Sequence, residues 1–158
     1  MKKISVIILA VAVLISGVFF VSFTGQSEAQ AAEKEAVKIP LNNYLQAHAT
    51  GKAEFVRKAF HPDAKLFWYR DGKMMTRTAE EFASGFTGAP AADEAQRKRN
   101  IDTIDICGNA AIAKITLDYP TVTFTDYMSL LKIDGEWKIV NKTFYAEPKT
   151  APMAKPGE

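Results

Sequence analysis

The sequence contains one cysteine, Cys107, and two histidines, His48 and His61, in 158 residues. A single thiol excludes an intramolecular disulfide and a thiolate zinc cage, and two imidazoles on separate segments offer little to any other metal. Neither sign of charge dominates. Twenty Lys and Arg stand against 18 Asp and Glu, a formal net charge of +2, so the electrostatic footprint of a nucleic-acid-binding surface is missing. Glycine-rich phosphate loops, a Ser-His-Asp order and internal repeats are missing too. The expected inventory is therefore no metal, no cofactor and no nucleic-acid partner.

Only the first stretch is long and apolar. Lys2 and Lys3 precede a run from Ile4 to Phe23, interrupted by Ser5, Ser16, Gly17 and Ser22, and Ala29-Gln30-Ala31 follows. A basic start, an apolar middle and an Ala-x-Ala exit are the three parts of a secretory signal peptide, placed here over 1–31 with cleavage after Ala31. The same run is long enough to span a bilayer as an uncleaved signal anchor. Both readings export the domain over 32–148, to the periplasm or beyond, and the membrane is a partner only in the anchored form. Cys107, closing the stretch Ile104-Asp105-Ile106-Cys107, is expected to be a small buried hydrophobe. From Glu147 the chain holds Pro148, Pro152 and Pro156 without a periodic pattern, which predicts a disordered tail over 149–158.

Between these ends the apolar periodicity changes once. Val37, Leu41, Tyr44, Leu45 and His48 recur at three- and four-residue spacing, predicting a helix from Glu33 to His48 with one buried face. Pro40 fits it only in a first turn or at a kink. Thr50-Gly51 ends that helix, and a short second one over Ala53 to Phe60 stops at His61-Pro62-Asp63. Lys65 to Arg70 and Lys73 to Arg77 flank Asp71-Gly72, a strong hairpin signal. Thr78 and Glu81 form a capping box that opens a third helix carrying Phe82 and Phe86. Four strands follow, Arg97–Cys107, Ala110–Asp118, Val122–Ile133 and Glu136–Tyr145, separated by Gly108-Asn109, Tyr119-Pro120-Thr121 and Asp134-Gly135. Helices first and an antiparallel meander last predict an α+β domain: a strongly curved, mostly antiparallel sheet wrapped over about three helices, forming a cone with an apolar interior.

Two segments carry a resemblance. Phe60-His61-Pro62-Asp63-Ala64 after the paired helices, and Thr125-Asp126-Tyr127-Met128-Ser129-Leu130-Leu131 followed by Asp134-Gly135-Glu136-Trp137-Lys138-Ile139-Val140-Asn141-Lys142, resemble the lumazine-binding branch of the NTF2-like superfamily. The resemblance spans Val37 to Pro148. It implies an NTF2-like cone, often homodimeric through the open sheet face, and less about function. The superfamily also contains isomerases and other enzymes, so the fold alone does not decide the chemistry. Several of those enzymes carry a catalytic carboxylate on the strand after the second helix. Matching their Asp-Ala pair to Asp63-Ala64 puts that position at Trp68, and an indole cannot abstract a proton.

The candidate residues follow from this. Tyr44, Trp68 and Tyr127 are expected at the mouth of the cone, where aromatic rings stack on a planar ligand while placing a polar group. Trp137 is expected in the core. His61 and Asp126 are the candidate general bases of the alternative reading, an exported lyase or isomerase; the bland readings are a helix–sheet link for His61 and a structural carboxylate bonded to a neighbouring strand for Asp126. Arg97-Lys98-Arg99 is expected to be a solvated strand edge. The leading expectation is an exported, non-catalytic domain that binds a small apolar or aromatic molecule, with a purely structural interaction module as a third possibility.

Overall fold

The structure is a computed structural model and describes residues 28–149. Most of the expected signal segment and nearly all of the expected tail lie outside the described residues. Contacts divide the chain after Glu35. Of the first unit only 28–35 are described; they are helical and mostly exposed. Among the described residues no helix is long and apolar enough to cross a membrane.

The second unit begins inside helix α1 (28–50), whose apolar stripe buries Val37, Leu41, Tyr44 and Ala47. Pro40 sits within this helix and is fully buried; lacking an N–H, it cannot make the bond back to the carbonyl four residues earlier. Gly51 closes α1, donating its N–H to the Ala47 carbonyl at 2.8 Å with φ +69°, the left-handed conformation that glycine adopts without penalty. A second demand falls on the same residue. A Cβ at Gly51 would stand 1.8 Å from the Ala89 carbonyl oxygen, and Gly88 N–H donates to the Gly51 carbonyl at 2.7 Å.

Helix α2 (Ala53–Ala59) leads directly into strand β1 (Phe60–Arg70), so His61-Pro62-Asp63 begins a strand. β2 (Lys73–Thr78) returns through Asp71 and Gly72, both at positive φ, the signature of a type I′ turn. Helix α3 (Ala79–Ala83) has the expected capping box, with Thr78 and Glu81 each bonded to the other's backbone N–H. After a 3₁₀ turn (Glu94–Gln96) come β3 (Lys98–Cys107), β4 (Ala110–Asp118), β5 (Val122–Ile133) and β6 (Glu136–Pro148). β6 continues past Tyr145, pairing Glu147 with Thr123 and Pro148 with Val122. Those two residues therefore belong to the sheet, not to a tail.

The six strands form one sheet in the order β2-β1-β6-β5-β4-β3. All neighbours are antiparallel except β1 and β6, which run parallel. This is the NTF2-like α+β architecture, with Leu66, Ala113, Ile115, Leu117, Met128, Leu130, Trp137 and Ile139 turned into the core with the helices. Three irregularities interrupt the alternation that a pleat otherwise enforces, one in β1 between Phe60 and Lys65 and a bulge in each of β3 and β6. In β3 the register skips Asp102, and in β6 it skips Val140. Cys107 is exposed, contrary to expectation. Downstream of the β3 bulge, Ile104 and Ile106 take the inward positions, and Cys107 takes the outward one at the strand's end.

Candidate functional site

The inner face of the sheet leaves a cavity of about 490 Å³ where the ends of β1, β6 and β4 meet α1 and α3. Leu66, Trp68, Leu117, Phe124 and Phe144 come from strands, and Phe82 and His48 from the helices. Their placement follows the two-residue period. Leu66 and Trp68 share one face of β1, and Phe144 follows Lys142 along the inner face of β6. Trp68 and Phe144 stack, with centroids 5.4 Å apart and planes 27° off parallel. The Arg77 guanidinium carbon lies 5.5 Å from the Trp68 ring centroid, on the other arm of the hairpin.

The polar wall contains a buried triad. The Lys142 ammonium stands 2.9 Å from Asp126 Oδ1 and donates to the Tyr44 hydroxyl at 2.6 Å, while Tyr44 donates to Asp126 Oδ2 at 2.5 Å. Asp126 is fully buried and Lys142 is 4% exposed. Burial first, and then the charge and hydrogen bond of Asp126, push the Tyr44 phenol well above its ordinary pKa. Burial pulls Lys142 below its ordinary value against the opposing pull of Asp126. The triad joins α1, β5 and β6 by side chains distant in sequence, and Lys142 also packs against the Phe144 ring, 4.7 Å from its centroid.

Beside Lys142 on the cavity wall is His48. Its Nδ1 lies 3.2 Å from the Tyr119 hydroxyl, and its buried Nε2 has no hydrogen-bond partner among the described residues. Tyr119 in turn accepts from Arg99 Nε at 3.3 Å, and Arg99 holds Glu94 through both terminal nitrogens at 2.6 and 2.7 Å. Burial, then the charges of Lys142, Arg99 and Arg97, hold the imidazole's pKa well below its usual value, so the ring is neutral.

The expected site residues are not brought together. Trp68 lines the cavity. Tyr44 is completely buried behind the wall, its hydroxyl consumed by the triad. Tyr127 lies on the opposite face of the sheet, 55% exposed, because its neighbour Asp126 takes the inward position. Neither candidate base lines the cavity. His61 sits in a separate depression with Arg57 and Glu80 and accepts from the Asp63 N–H at 3.2 Å; Asp126 lies beneath Lys142 and Tyr44. Arg97 and Arg99 are not a solvated edge either: strand alternation turns both inward, Arg97 onto Asp93 and over the Tyr119 ring. Sequence reasoning did not single out Lys142, and treated His48 only as part of a helical face. A strict two-residue count from Trp137 turns Asn141 inward, whereas the bulge at Val140 gives that position to Lys142.

A family model described as "Putative lumazine-binding" matches residues 32–145. The chain belongs to that family. Among its relatives is Aldolase FrzH from Cladobotryum sp, 27% identical over 121 residues, which cover 75% of this chain and 95% of that protein. Two crystal structures of NTF2-like proteins are similar over nearly their full length. The one from Shewanella baltica is 28% identical with a TM-score of 0.68, covering 75% of this chain and 97% of its own. The one from Methylobacillus flagellatus is 30% identical with a TM-score of 0.64, covering 73% and 93%.

Proposed function

We propose that this NTF2-like domain binds a small, largely apolar and aromatic molecule in its inner cavity. The observation that carries the reading is the cavity itself, about 490 Å³ walled by Leu66, Trp68, Phe82, Leu117, Phe124 and Phe144. That volume lies within the range of small-molecule sites, and a mostly apolar wall with a few convergent polar groups is their usual construction. A planar ligand that loses about 200 Å² of apolar surface to such a wall gains roughly 5 kcal/mol before the costs of association. The test is titration with lumazine and with naphthalene derivatives, followed by tryptophan fluorescence and calorimetry. Binding that weakens at least tenfold in Trp68→Ala and persists in His61→Ala supports the reading. Absence of binding by every compound in the folded protein overturns it.

A second reading, a lyase, is favoured by one observation, the similarity to a protein named an aldolase. In such a reading Lys142, not His61 or Asp126, is the polar group in reach of a carbonyl substrate, because it alone of the three lines the cavity. Turnover of an aldol substrate that disappears in Lys142→Met with the fold intact decides for the lyase.

We propose further that the domain acts after export, on the strength of the basic, apolar and Ala-x-Ala parts of residues 1–31. A mature amino terminus at Ala32 by mass spectrometry supports cleavage, and an intact Met1 in membrane fractions supports the anchor. The outer sheet face, where Ile112, Tyr127 and Leu131 are 60%, 55% and 39% exposed, is the proposed surface for a second copy of the chain.

A further inference from the structure

We propose that the cavity selects ligands that present an anionic or strongly accepting oxygen on their planar apolar body, and that this oxygen docks on the His48 Nε2–H beside Lys142. The inference rests on the binding reading above and names the chemical class of its ligand.

The first strand of the argument is the proton inventory around His48. A phenolic oxygen has one hydrogen to give and two lone pairs. Arg99 Nε–H, which can only donate, takes one lone pair of the Tyr119 oxygen. We assign the Tyr119 hydrogen to His48 Nδ1, 3.2 Å away: the reverse arrangement, Nδ1–H donating to the second lone pair, would leave the phenol hydrogen without an acceptor among the described residues. A neutral ring that accepts at Nδ1 carries its one proton on Nε2. The surrounding cations Lys142, Arg99 and Arg97 all oppose a second proton. Nε2 is buried and unpartnered among the described residues, on a residue that lines the cavity. A buried donor without an acceptor is the kind of group that a ligand oxygen satisfies.

The second strand is independent of the tautomer. The charged side chains that line the cavity are Arg70, Arg77 and Lys142, all cationic, and among the described residues no carboxylate lines it. Asp126 answers Lys142 from behind, which leaves Arg70 and Arg77 at the hairpin end as the cations that face an anion in the cavity, with Glu81 acting on Arg77 from outside the cavity wall. Arg70 contacts Asp71 only in a long, exposed pair at 3.7 Å. The guanidinium carbon of Arg77 lies 5.5 Å from the Trp68 ring centroid, which sets a positive charge beside the aromatic wall. Aromatic carboxylates, phenolates and enolates share this chemistry. Amines and apolar molecules without an acceptor do not.

The experiment compares three probes of one shape at pH 7.5 by calorimetry: 2-naphthoate, 2-naphthalenemethanol and 2-naphthylmethylamine. The expected result is at least tenfold tighter binding of the carboxylate than of the alcohol, with the amine weakest. Arg77→Gln, an exposed substitution, is expected to reduce the preference several-fold and to flatten its dependence on salt. His48→Phe is expected to bring carboxylate and alcohol within threefold, and His48→Gln, which keeps an amide donor, to retain part of the preference. If His48→Phe does not fold, the Nε2 nitrogen shift of wild-type His48 on adding naphthoate replaces it, and an unmoved signal counts against the docking. Equal binding of all three probes, or preference for the amine, overturns the inference and leaves the binding reading standing. Failure of all three to bind overturns the inference, and if lumazine also fails to bind it overturns the binding reading too.

Discussion

Lys142 on β6 reaches Asp126 on β5 diagonally across the strand pair at 2.9 Å, with side-chain exposures of 5% and 0%. Their separate removal is a harsher change than their joint removal. Taking away the ammonium leaves a carboxylate in the core with only Tyr44 to answer it, and a buried charge stripped of its partner destabilises by about 3–5 kcal/mol. Lys142→Met is therefore expected to lower the urea midpoint steeply. The double variant Asp126→Leu/Lys142→Met is expected to recover much of the loss, since an apolar replacement of both partners removes the desolvation penalty as well. Additive losses in the double variant would refute this account of the pair.

His48 links stability to pH with a definite sign. Burial and nearby cations hold its folded pKa well below the ordinary value, while the unfolded chain binds a proton near about 6.5. Below that pH the unfolded state takes up a proton that the native ring refuses, so stability is fully present above about 6.5 and is lost as pH falls through the window beneath it. The slope approaches about 1.4 kcal/mol per pH unit. Chemical denaturation between pH 8 and 5 is expected to show this decline in wild type and a flatter profile in His48→Gln.

Gly51 and Gly108 make a controlled pair. Both lie at positive φ, +69° and +59°, where a side chain meets its own backbone and loses about 1–2 kcal/mol. At Gly108 an added methyl meets nothing within 4 Å, whereas at Gly51 it collides with the Ala89 backbone. Gly108→Ala is expected to lose no more than the conformational term. Gly51→Ala is expected to lose clearly more and to raise hydrogen exchange at the Gly88 amide, which bonds to the Gly51 carbonyl. Equal thermal shifts for the two variants would contradict the close approach.

Tyr127 tests assembly. It stands on the outer sheet face with Ile112 close by, away from the cavity. If that face pairs two copies, wild type sediments as a dimer and Tyr127→Glu as a monomer, with naphthoate affinity unchanged. A wild-type monomer at high micromolar concentration would sink the pairing.

Most of the fold is legible from local chemistry. Asp71-Gly72, the Thr78–Glu81 capping box and the Asp134-Gly135 turn are written in short-range patterns, and each is found where its pattern predicts. The candidate site is less legible, for two physical reasons. Bulges at Asp102 and Val140 each exchange inward for outward positions downstream, so Lys142 and Phe144 reach the inner face against the simple count. Contacts between distant segments supply the rest: Tyr44 is spent on Asp126, 82 positions away, and His48 on Tyr119, 71 positions away. Aromatic character marks Tyr44, Trp68 and Tyr127 alike, but only strand parity and hydrogen-bond demand separate the three.

The sheet order places β6, the last strand among the described residues, in its interior, between the β1–β2 hairpin and the β3–β5 meander. During synthesis those two pieces have no common edge until Glu136–Pro148 leaves the ribosome. That segment is the keystone of the sheet, and it brings Lys142 and Phe144 with it. A nascent chain stopped short of it exposes the pairing edges of both β1 and β5, the kind of open edge that invites aggregation, and leaves Asp126 without its counter-charge. A chain ended before β6 therefore lacks both the strand that joins the two halves of the sheet and the Lys142 and Phe144 side chains of the cavity wall.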